Sequence, residues 1–288
     1  MFGAIESRIG NPNVSWETAL KHNYGIDVNF LNNRLKVSAD LFFENRKDIL
    51  IKRKTIPIFT DLNSNIMPVV NMGQVKNHGY EVDIKWEDRI KGDFHYYINA
   101  NVSYSKNKII FQDEIEPNET YLWRTGQPVG SIFGYVADGF YGEEDFTKEG
   151  ALKDGLPVPD ADVQPGDIKY KDVNGDGVVN DGDKVAIGAT TKPNLIYGFG
   201  VSAQWKGFDF NAHFQGAGKS SFFINGPTVY AFSGSQWGNV LTNLVKNRYV
   251  DAETAATLGI PANENPNASY PRLSYGGNDN NYRASTFW

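Results

Sequence analysis

The sequence predicts an all-β protein in which an antiparallel, up-and-down sheet forms a portion of a transmembrane β-barrel with long extracellular loops. Three observations support this fold class. Apolar and polar residues alternate along six segments that pair as three hairpins. The connections alternate between short turns and long loops, which places all the turns at one rim of a barrel. Aromatic residues flank both ends of the apolar faces, as at the two interfaces of a membrane.

The first hairpin covers Tyr24–Phe43 and turns at Leu31–Asn33. In both strands every second residue is apolar, while amide, hydroxyl or charged residues occupy most of the alternate positions. This period of two is typical of strands with one apolar face. We expect the residues 46–78 that follow to be a long connection, because they show no clean periodicity.

The second hairpin pairs Tyr80–Trp86 with Phe94–Tyr104 across a short turn at Arg89–Asp93. Both strands again alternate between apolar and polar residues. The length of Phe94–Tyr104 matches the roughly 9–11 residues that a tilted strand needs to cross a bilayer. This strand is therefore long enough to span a membrane.

The third hairpin pairs Leu195–Trp205 with Phe208–Phe214 across the dipeptide Lys206-Gly207. Farther along, the spacing of apolar residues predicts one amphipathic helix near Trp237–Val250. The remaining tail is rich in asparagine, proline, tyrosine and glycine, and we expect it to be a loop.

Aromatic residues form two sets along the predicted strands, and the six apolar faces contain no charged residue. The set beside the short turns consists of Phe30, Trp86, Phe94, Trp205 and Phe208. The set at the far ends consists of Tyr104, Tyr197 and Phe214. Two such girdles around an apolar band favour a lipid-facing wall. Six strands do not close a large barrel alone, so we expect the chain to be a piece of a larger one.

The composition excludes several functional classes. The 288 residues carry a net charge of −6 without a run of lysine and arginine, so nucleic acid is not an expected partner. There is no cysteine, which excludes disulfides, thiolate metal sites and cysteine nucleophiles. No apolar run approaches the roughly 20 residues of a membrane-spanning helix. The histidines are scattered and no catalytic spacing is visible, so we do not expect an enzyme.

Residues 172–183 carry the pattern of a calcium-binding loop. Oxygen-bearing side chains occupy positions 1, 3, 5, 9 and 12 of a twelve-residue loop, and Gly177 falls at the sharp turn. Calcium prefers about six to eight oxygen ligands, which this spacing wraps around one ion. The predicted ligands are Asp172, Asn174, Asp176, the Val178 carbonyl, Asn180 through water, and Asp183.

The calcium pattern departs from the full motif at position 12, where an aspartate replaces a bidentate glutamate. An Asp/Asn/Gly-rich turn without a metal is one alternative. A dockerin is another, although that module needs two calcium loops and the sequence has one.

Five separated stretches resemble the SusC/RagA family of TonB-dependent outer-membrane transporters of Bacteroidota. In chain order they are Asn71–Tyr80, Thr125–Tyr141, Gly166–Asp172, Pro193–Gly198 and Tyr282–Trp288. Their order along nearly the whole chain makes the resemblance specific. It implies a C-terminal portion of a 22-stranded barrel, with the signal peptide, TonB box and plug domain outside this chain.

On this interpretation residues 1–288 are a partial TonB-dependent receptor barrel with two long extracellular loops. The first loop covers residues 107–193 and contains the calcium motif at 172–183. The second covers residues 217–288, and the end of the chain truncates it. The calcium ion would brace the first loop structurally.

The resemblance also implies a function and partners. Members of the family import oligosaccharides or peptides, driven by the TonB complex through N-terminal parts, with a SusD-like lipoprotein lid over the extracellular face. We therefore expect part of a nutrient transporter, embedded in outer-membrane lipid of a Gram-negative bacterium. The alternative is a secreted, calcium-stabilised β-sandwich that binds carbohydrate, because sandwich strands also alternate.

Overall fold

The computed structural model describes residues 9–55, 66–90, 92–226, 229–232, 238–275 and 278–288. The chain divides into two compact units. Unit 1 consists of Met1–Pro117, Trp123–Ser131 and Ala189–Ser221. Unit 2 consists of Asn118–Leu122, Ile132–Gly188 and Phe222–Trp288.

Strands account for most of the regular structure. In chain order they are β1 (Thr18–Phe30), β2 (Leu35–Lys52), β3 (Val69–Ile90), β4 (Phe94–Phe111), β5 (Ser131–Gly134), β6 (Ala137–Phe140), β7 (Val158–Pro159), β8 (Ile168–Tyr170), β9 (Val178–Val179), β10 (Val185–Thr190), β11 (Leu195–Trp205) and β12 (Phe208–Gly218). The helices are α1 (Thr242–Asn247) and α2 (Ala252–Leu258), with 3₁₀ turns at Thr120–Leu122, Glu143–Asp145 and Asp181–Asp183. Among the described residues, no helix is both long and apolar enough to cross a membrane.

Unit 1 is a six-stranded antiparallel sheet in the order β1-β2-β3-β4-β11-β12. Strands β1 and β12 are its two edges. The predicted all-β antiparallel fold class and the three predicted hairpins are confirmed. The sheet also pairs β4 with β11, although a long insertion separates them in the chain.

Two of the short turns take backbone conformations that few residues adopt. Leu31, Asn32 and Asn33 have φ angles of 53°, 56° and 66°, and Lys206 and Gly207 have 46° and 87°. Asparagine and glycine tolerate this left-handed region best, and it matches the twist of two strands joined by a tight turn. The turn residues therefore fix the registers of the first and third hairpins.

Three strands are longer than the alternation predicts. β2 continues to Lys52, β3 begins at Val69 and β4 continues to Phe111. The predicted connection over 46–78 was therefore wrong at both ends. In these extensions neither face is continuously apolar, so the period of two is lost, yet backbone pairing continues.

The sheet has two chemically different faces. Apolar residues lie in rows across neighbouring strands, and the row Tyr24, Leu41, Tyr80, Tyr104 and Leu195 is in register over five strands. We call this side the apolar face and the other side the polar face. We call the strand ends at the short turns the turn end, and the opposite ends the loop end.

The apolar face is exposed. Tyr24, Ile26 and Phe210 expose 64%, 62% and 59% of their surfaces. A β-sandwich would cover such a face with a second sheet. No second sheet buries it in the described part of unit 1, which disfavours the β-sandwich alternative.

Unit 2 has its own hydrophobic core. The core consists of Tyr135, Phe140, Ile168, Tyr170, Val179 and Tyr249, with Ala137, Ala268, Phe287 and Trp288 packed against it. Short strand pairs surround it, with β6 antiparallel to β8 and β7 parallel to β9. The sequence did not reveal that two distant loop segments share one core.

The helix predicted near Trp237–Val250 is shorter than expected. Only Thr242–Asn247 is helical, with Leu244 buried, and Trp237 lies outside the described residues. α2 was not predicted from the sequence. Asp251 caps its N-terminus, and the Asp251 side chain accepts a hydrogen bond from the Thr254 backbone N–H.

Candidate functional site

The six predicted calcium ligands lie along one hydrogen-bonded loop in unit 2. The Asp172 carboxylate accepts hydrogen bonds from the backbone N–H groups of Gly175 at 2.7 Å and Gly177 at 2.8 Å. Asp176 accepts from the Val178 N–H at 2.8 Å. Gly175 and Gly177 have φ angles of 76° and 83°, which lets the chain curl around its own carboxylates.

The buried side chain of Asp183 connects two parts of this loop by hydrogen bonds. This side chain is fully buried and accepts from the Val173 N–H at 2.7 Å and the Asn180 N–H at 2.8 Å. Asn180 in turn accepts from the Gly182 N–H at 2.7 Å and begins the 3₁₀ turn. One carboxylate therefore joins the two ends of the motif.

Asn174 completes the set of predicted ligands. Its side-chain oxygen accepts from the Asp176 N–H at 3.0 Å, and its amide donates to the Asp176 carboxylate at 2.9 Å. These contacts keep the oxygens of neighbouring ligands close together. They are also contacts that an Asp/Asn/Gly-rich turn forms by itself.

Side chains outside the motif anchor the loop to unit 2. The Tyr121 hydroxyl donates to the Gly182 carbonyl at 2.6 Å, and the Tyr135 hydroxyl donates to Asp181 at 3.2 Å. Val179 is 1% exposed and belongs to the core. The loop is therefore continuous with the packed interior of unit 2.

Electrostatics around the loop follow from these contacts. Burial raises the pKa of Tyr121, and the negative charges of nearby carboxylates, including Asp183, Asp176 and Asp172, raise it further. The hydrogen bond from Lys184 lowers the pKa of Asp181. The surroundings of Tyr121 are thus negatively charged, which favours a cation at the loop.

The chemistry of the donor set fits a hard cation. All six predicted ligands offer oxygen, which calcium prefers, and none offers sulfur or imidazole nitrogen. Among the described residues, no group of three or more His, Cys, Asp or Glu side chains is placed to hold a metal ion. The calcium assignment therefore stays a prediction.

A buried ionic cluster around Asp167 was missed by sequence reasoning. Asp167 is fully buried, and its carboxylate lies 2.8 Å from the Arg272 Nε atom. It also accepts from the Arg272 Nη2 atom at 3.1 Å, from Asn278 at 3.0 Å and from Asn281 at 2.8 Å. The cluster ties the tail of the chain to the segment that enters the calcium loop.

The end of the chain packs into the same region. The Tyr135 N–H donates to the Ala284 carbonyl at 2.9 Å, and the Thr286 N–H donates back to the Tyr135 carbonyl at 3.0 Å. Trp288 donates to the Asn281 carbonyl at 2.6 Å. Three of the family-like stretches, Thr125–Tyr141, Gly166–Asp172 and Tyr282–Trp288, contribute to this contact. The joint occurrence of these three stretches in one sequence was the signal from which this contact could have been predicted.

The polar face of the sheet carries a groove near the loop end. It has a volume of about 590 Å³ and is lined in part by Glu17, Glu44 and Arg46. Arg46 pairs with Glu17 and with Glu44, each at 2.8 Å. Asn77 and Asn107 add amide groups to the same lining. Apolar residues such as Ile109 and Phe111 also line the groove, so it combines paired charges and amides with apolar surface.

Comparison with known proteins agrees with this architecture. Residues 1–142 match the family described as TonB dependent receptor-like, beta-barrel. The chain is 29% identical over 225 residues to TonB-dependent receptor P3 of Formosa agariphila, covering 74% of this chain and 21% of that protein. It is 26% identical over 212 residues to TonB-dependent receptor SusC of Bacteroides thetaiotaomicron, covering 70% of this chain and 19% of that protein.

A solved structure has the same fold. The RagAB peptide importer in its open-open state matches with a TM-score of 0.66 and 20% sequence identity, covering 96% of this chain and 27% of that chain. The chain spans about a fifth of the length of the curated relatives that it matches. Its sequence is similar to those of TonB-dependent receptors, SusC among them, and its fold is similar to that of part of the RagAB importer.

Proposed function

We propose that this chain is part of a TonB-dependent outer-membrane transporter that takes up oligosaccharides or peptides together with a SusD-like lipoprotein. Unit 1 supplies barrel wall, with its apolar face toward lipid and its polar face toward the lumen. Energy comes from the TonB complex through parts of the receptor outside this chain. The similar RagAB structure is described as a peptide importer, which supports peptides as a substrate class.

The exposed apolar face is the observation that carries the proposal. Aromatic residues bound this face at the turn end, where Trp205 lies opposite both Phe94 and Phe208. They bound it again at the loop end, where Tyr80 lies opposite Tyr104. Ten residues separate Phe94 from Tyr104, and at about 3.3 Å per residue and a tilt near 45° they rise roughly 23 Å. That height matches the ~25 Å apolar band of outer-membrane barrels.

Unit 2 supplies the extracellular surface on which the lipoprotein docks. Its packed core and buried ionic cluster give it a defined shape without a partner. A preorganised surface loses little conformational entropy on binding, which favours a stable complex with the lipoprotein.

Fractionation of cells that express the full-length receptor tests the proposal. We expect the receptor in the outer membrane, with heat-modifiable electrophoretic mobility, and the SusD-like lipoprotein co-purifying with it. A water-soluble protein whose mobility does not change on heating would contradict the barrel. A barrel that purifies alone would contradict only the partnership.

Calcium is the structural cofactor in this proposal. Asp172, Asp176 and Asp183 contribute carboxylates, with Asn174, the Val178 carbonyl and, through water, Asn180. Extracellular calcium sites often bind at about 10⁻⁴–10⁻³ M, which suits an ion that is always present and braces a loop.

Calorimetric titration of the metal-free, full-length receptor with calcium tests this assignment. Asp172→Asn/Asp176→Asn should abolish the binding heat, because it removes two anionic ligands. Asp181→Asn is the matched control, since Asp181 lies in the same loop but pairs with Lys184 and is not a proposed ligand. Equal heats for wild type and the double variant would identify the loop as a metal-free turn.

A further inference from the structure

A group of exposed lysines lies on the apolar face beyond the aromatic row of the loop end. We call it the lysine patch, and it consists of Lys47, Lys76, Lys106, Lys108 and Lys219. The strand register places four of these residues on the same side as Tyr80 and Tyr104. The fifth, Lys219, places its ammonium group 4.9 Å from the centre of the Tyr104 ring.

Two in-register rows form the body of the patch. In the first row His78 lies opposite Lys106, and in the second Lys76 lies opposite Lys108. The two rows continue through Phe43 and Asn45 on β2 and contain no carboxylate. Like charges directly opposite each other on neighbouring strands destabilise a sheet. Placing Lys76 against Lys108 therefore costs stability unless an anion lies between them.

Among the residues that the structure describes, the patch has no charge partner. In the described part of the chain, none of the five lysines lies within ion-pair distance of a carboxylate. Asp48 follows Lys47 in sequence but lies at an irregular pairing position with a φ of 57°. The turn end differs, because there Arg34 pairs with Asp88 at 3.1 Å. Arg34 thus has a charge partner at the turn end, whereas the five lysines of the patch have none among the described residues.

The height of the patch above the aromatic row matches a lipid headgroup. Lys106 lies two residues and Lys108 four residues beyond Tyr104. At about 3.3 Å per residue and a tilt near 45°, these positions lie roughly 5 Å and 9 Å beyond the row. The polar region of a bilayer leaflet is about 5–8 Å deep. Lysine side chains on a lipid-facing surface extend toward that region.

We propose that the lysine patch binds the phosphate groups of anionic lipid in the outer leaflet. The bound lipid molecules would then be ordered around the loop end of the sheet. The inference rests on the proposed membrane location of the sheet. Charge complementarity and continuity with the lipid-facing apolar face select a lipid phosphate as the occupant.

Retention of diphosphoryl lipid A by the full-length receptor tests this inference. Native mass spectrometry of the detergent-purified receptor, titrated with diphosphoryl lipid A, measures its apparent affinity. Lys76→Gln/Lys108→Gln should weaken that affinity by roughly 30-fold, since each lysine near an anionic surface contributes about 1 kcal/mol. A second variant, Lys47→Gln/Lys106→Gln, should behave in the same way.

Lys36→Gln/Lys85→Gln is the matched control, because Lys36 and Lys85 also lie opposite each other but on the polar face. We expect this control to retain lipid A as the wild type does, and millimolar inorganic phosphate not to displace the lipid. Equal retention by all variants, or displacement by inorganic phosphate alone, would overturn the lipid site. Loss of heat-modifiable mobility in the wild type would instead contradict the proposed barrel.

Discussion

The sheet of unit 1 and the folded loops of unit 2 use apolar side chains in opposite ways. Of the described residues, thirteen of the fourteen buried apolar side chains belong to unit 2, and only Met67 belongs to unit 1. The sheet instead exposes long rows of leucine, isoleucine, valine and aromatic residues. Unit 2 therefore suits water, whereas the sheet needs an apolar environment outside the protein.

The two units also differ in where they place their polar and charged groups. Unit 2 encloses Asp167 and Asp183, each with several hydrogen-bond donors. The sheet places its charges on the polar face or at its ends, where most of them remain exposed. Unit 2 is thus held together from within, and the sheet is held by its backbone pairing and by what surrounds it.

The largest expected effect concerns the buried ion pair of unit 2. Asp167→Ala leaves Arg272 without its partner, and breaking a buried pair costs about 3–5 kcal/mol. Hydrogen exchange on the full-length receptor should show lost protection throughout unit 2. Asp88→Ala in the sheet is the control, because solvent screens its pair with Arg34. Similar losses in the two variants would contradict the contrast between the units.

The next effect concerns the two faces of one strand. Ile98 lies on the apolar face and its neighbour Asn99 on the polar face of β4. Ile98→Arg should destabilise the membrane-inserted receptor by about 2–4 kcal/mol, the cost of arginine on the lipid face at mid-depth. Asn99→Arg should have little effect. The unfolding midpoint of the heat-modifiable form measures the stability of each variant. Equal midpoints for the Ile98 and Asn99 variants would mean that β4 does not face lipid.

The third effect is an alkaline pH dependence of unit 2. Burial raises the pKa of Tyr135, Tyr141 and Tyr249 to about 12 from the ordinary value of 10.0. Below pH 10 both the folded and unfolded states keep these phenol protons, so the contribution to stability is complete. Between pH 10 and about 12 the unfolded state loses protons first, and unit 2 loses stability.

Absorbance of tyrosinate during alkaline titration follows this pH dependence. Tyr141→Phe should remove one late-titrating phenol and reduce the alkaline loss of near-ultraviolet circular dichroism. Loss of tyrosinate absorbance near pH 10 and not near pH 12 would show that Tyr141 is accessible to water and not buried.

Local pattern was sufficient to predict the three hairpins but not unit 2. The hairpins follow from alternation and turn residues within about twenty positions of each other, as at Tyr24–Phe43. The pairing of β4 with β11 and the contact of Asp167 with Arg272 join residues far apart in the chain. Such contacts have no periodic signal. The extensions of β2 and β3 were missed for another reason, because alternation reports an apolar face and not backbone pairing.

The calcium loop was predictable from the sequence only in part. Its pattern of oxygen side chains is local, and the structure folds those residues into one hydrogen-bonded loop around Asp183. The anchors Tyr121 and Tyr135 lie 61 and 46 residues before the loop residues that they contact and were not identifiable by spacing. Sequence therefore indicated the ligands, whereas the loop's attachment to the core required the fold.

Site-directed spin labelling along β4 tests the central contrast most directly. This chain contributes no cysteine, so single cysteines at positions 96–102 of the membrane-inserted receptor can carry labels. We predict that even-numbered positions are accessible to oxygen dissolved in lipid and odd-numbered positions to a water-soluble nickel complex. A label at the exposed Val158 of unit 2 should be accessible only to the nickel complex. Uniform accessibility to water along β4 would contradict a lipid-facing wall.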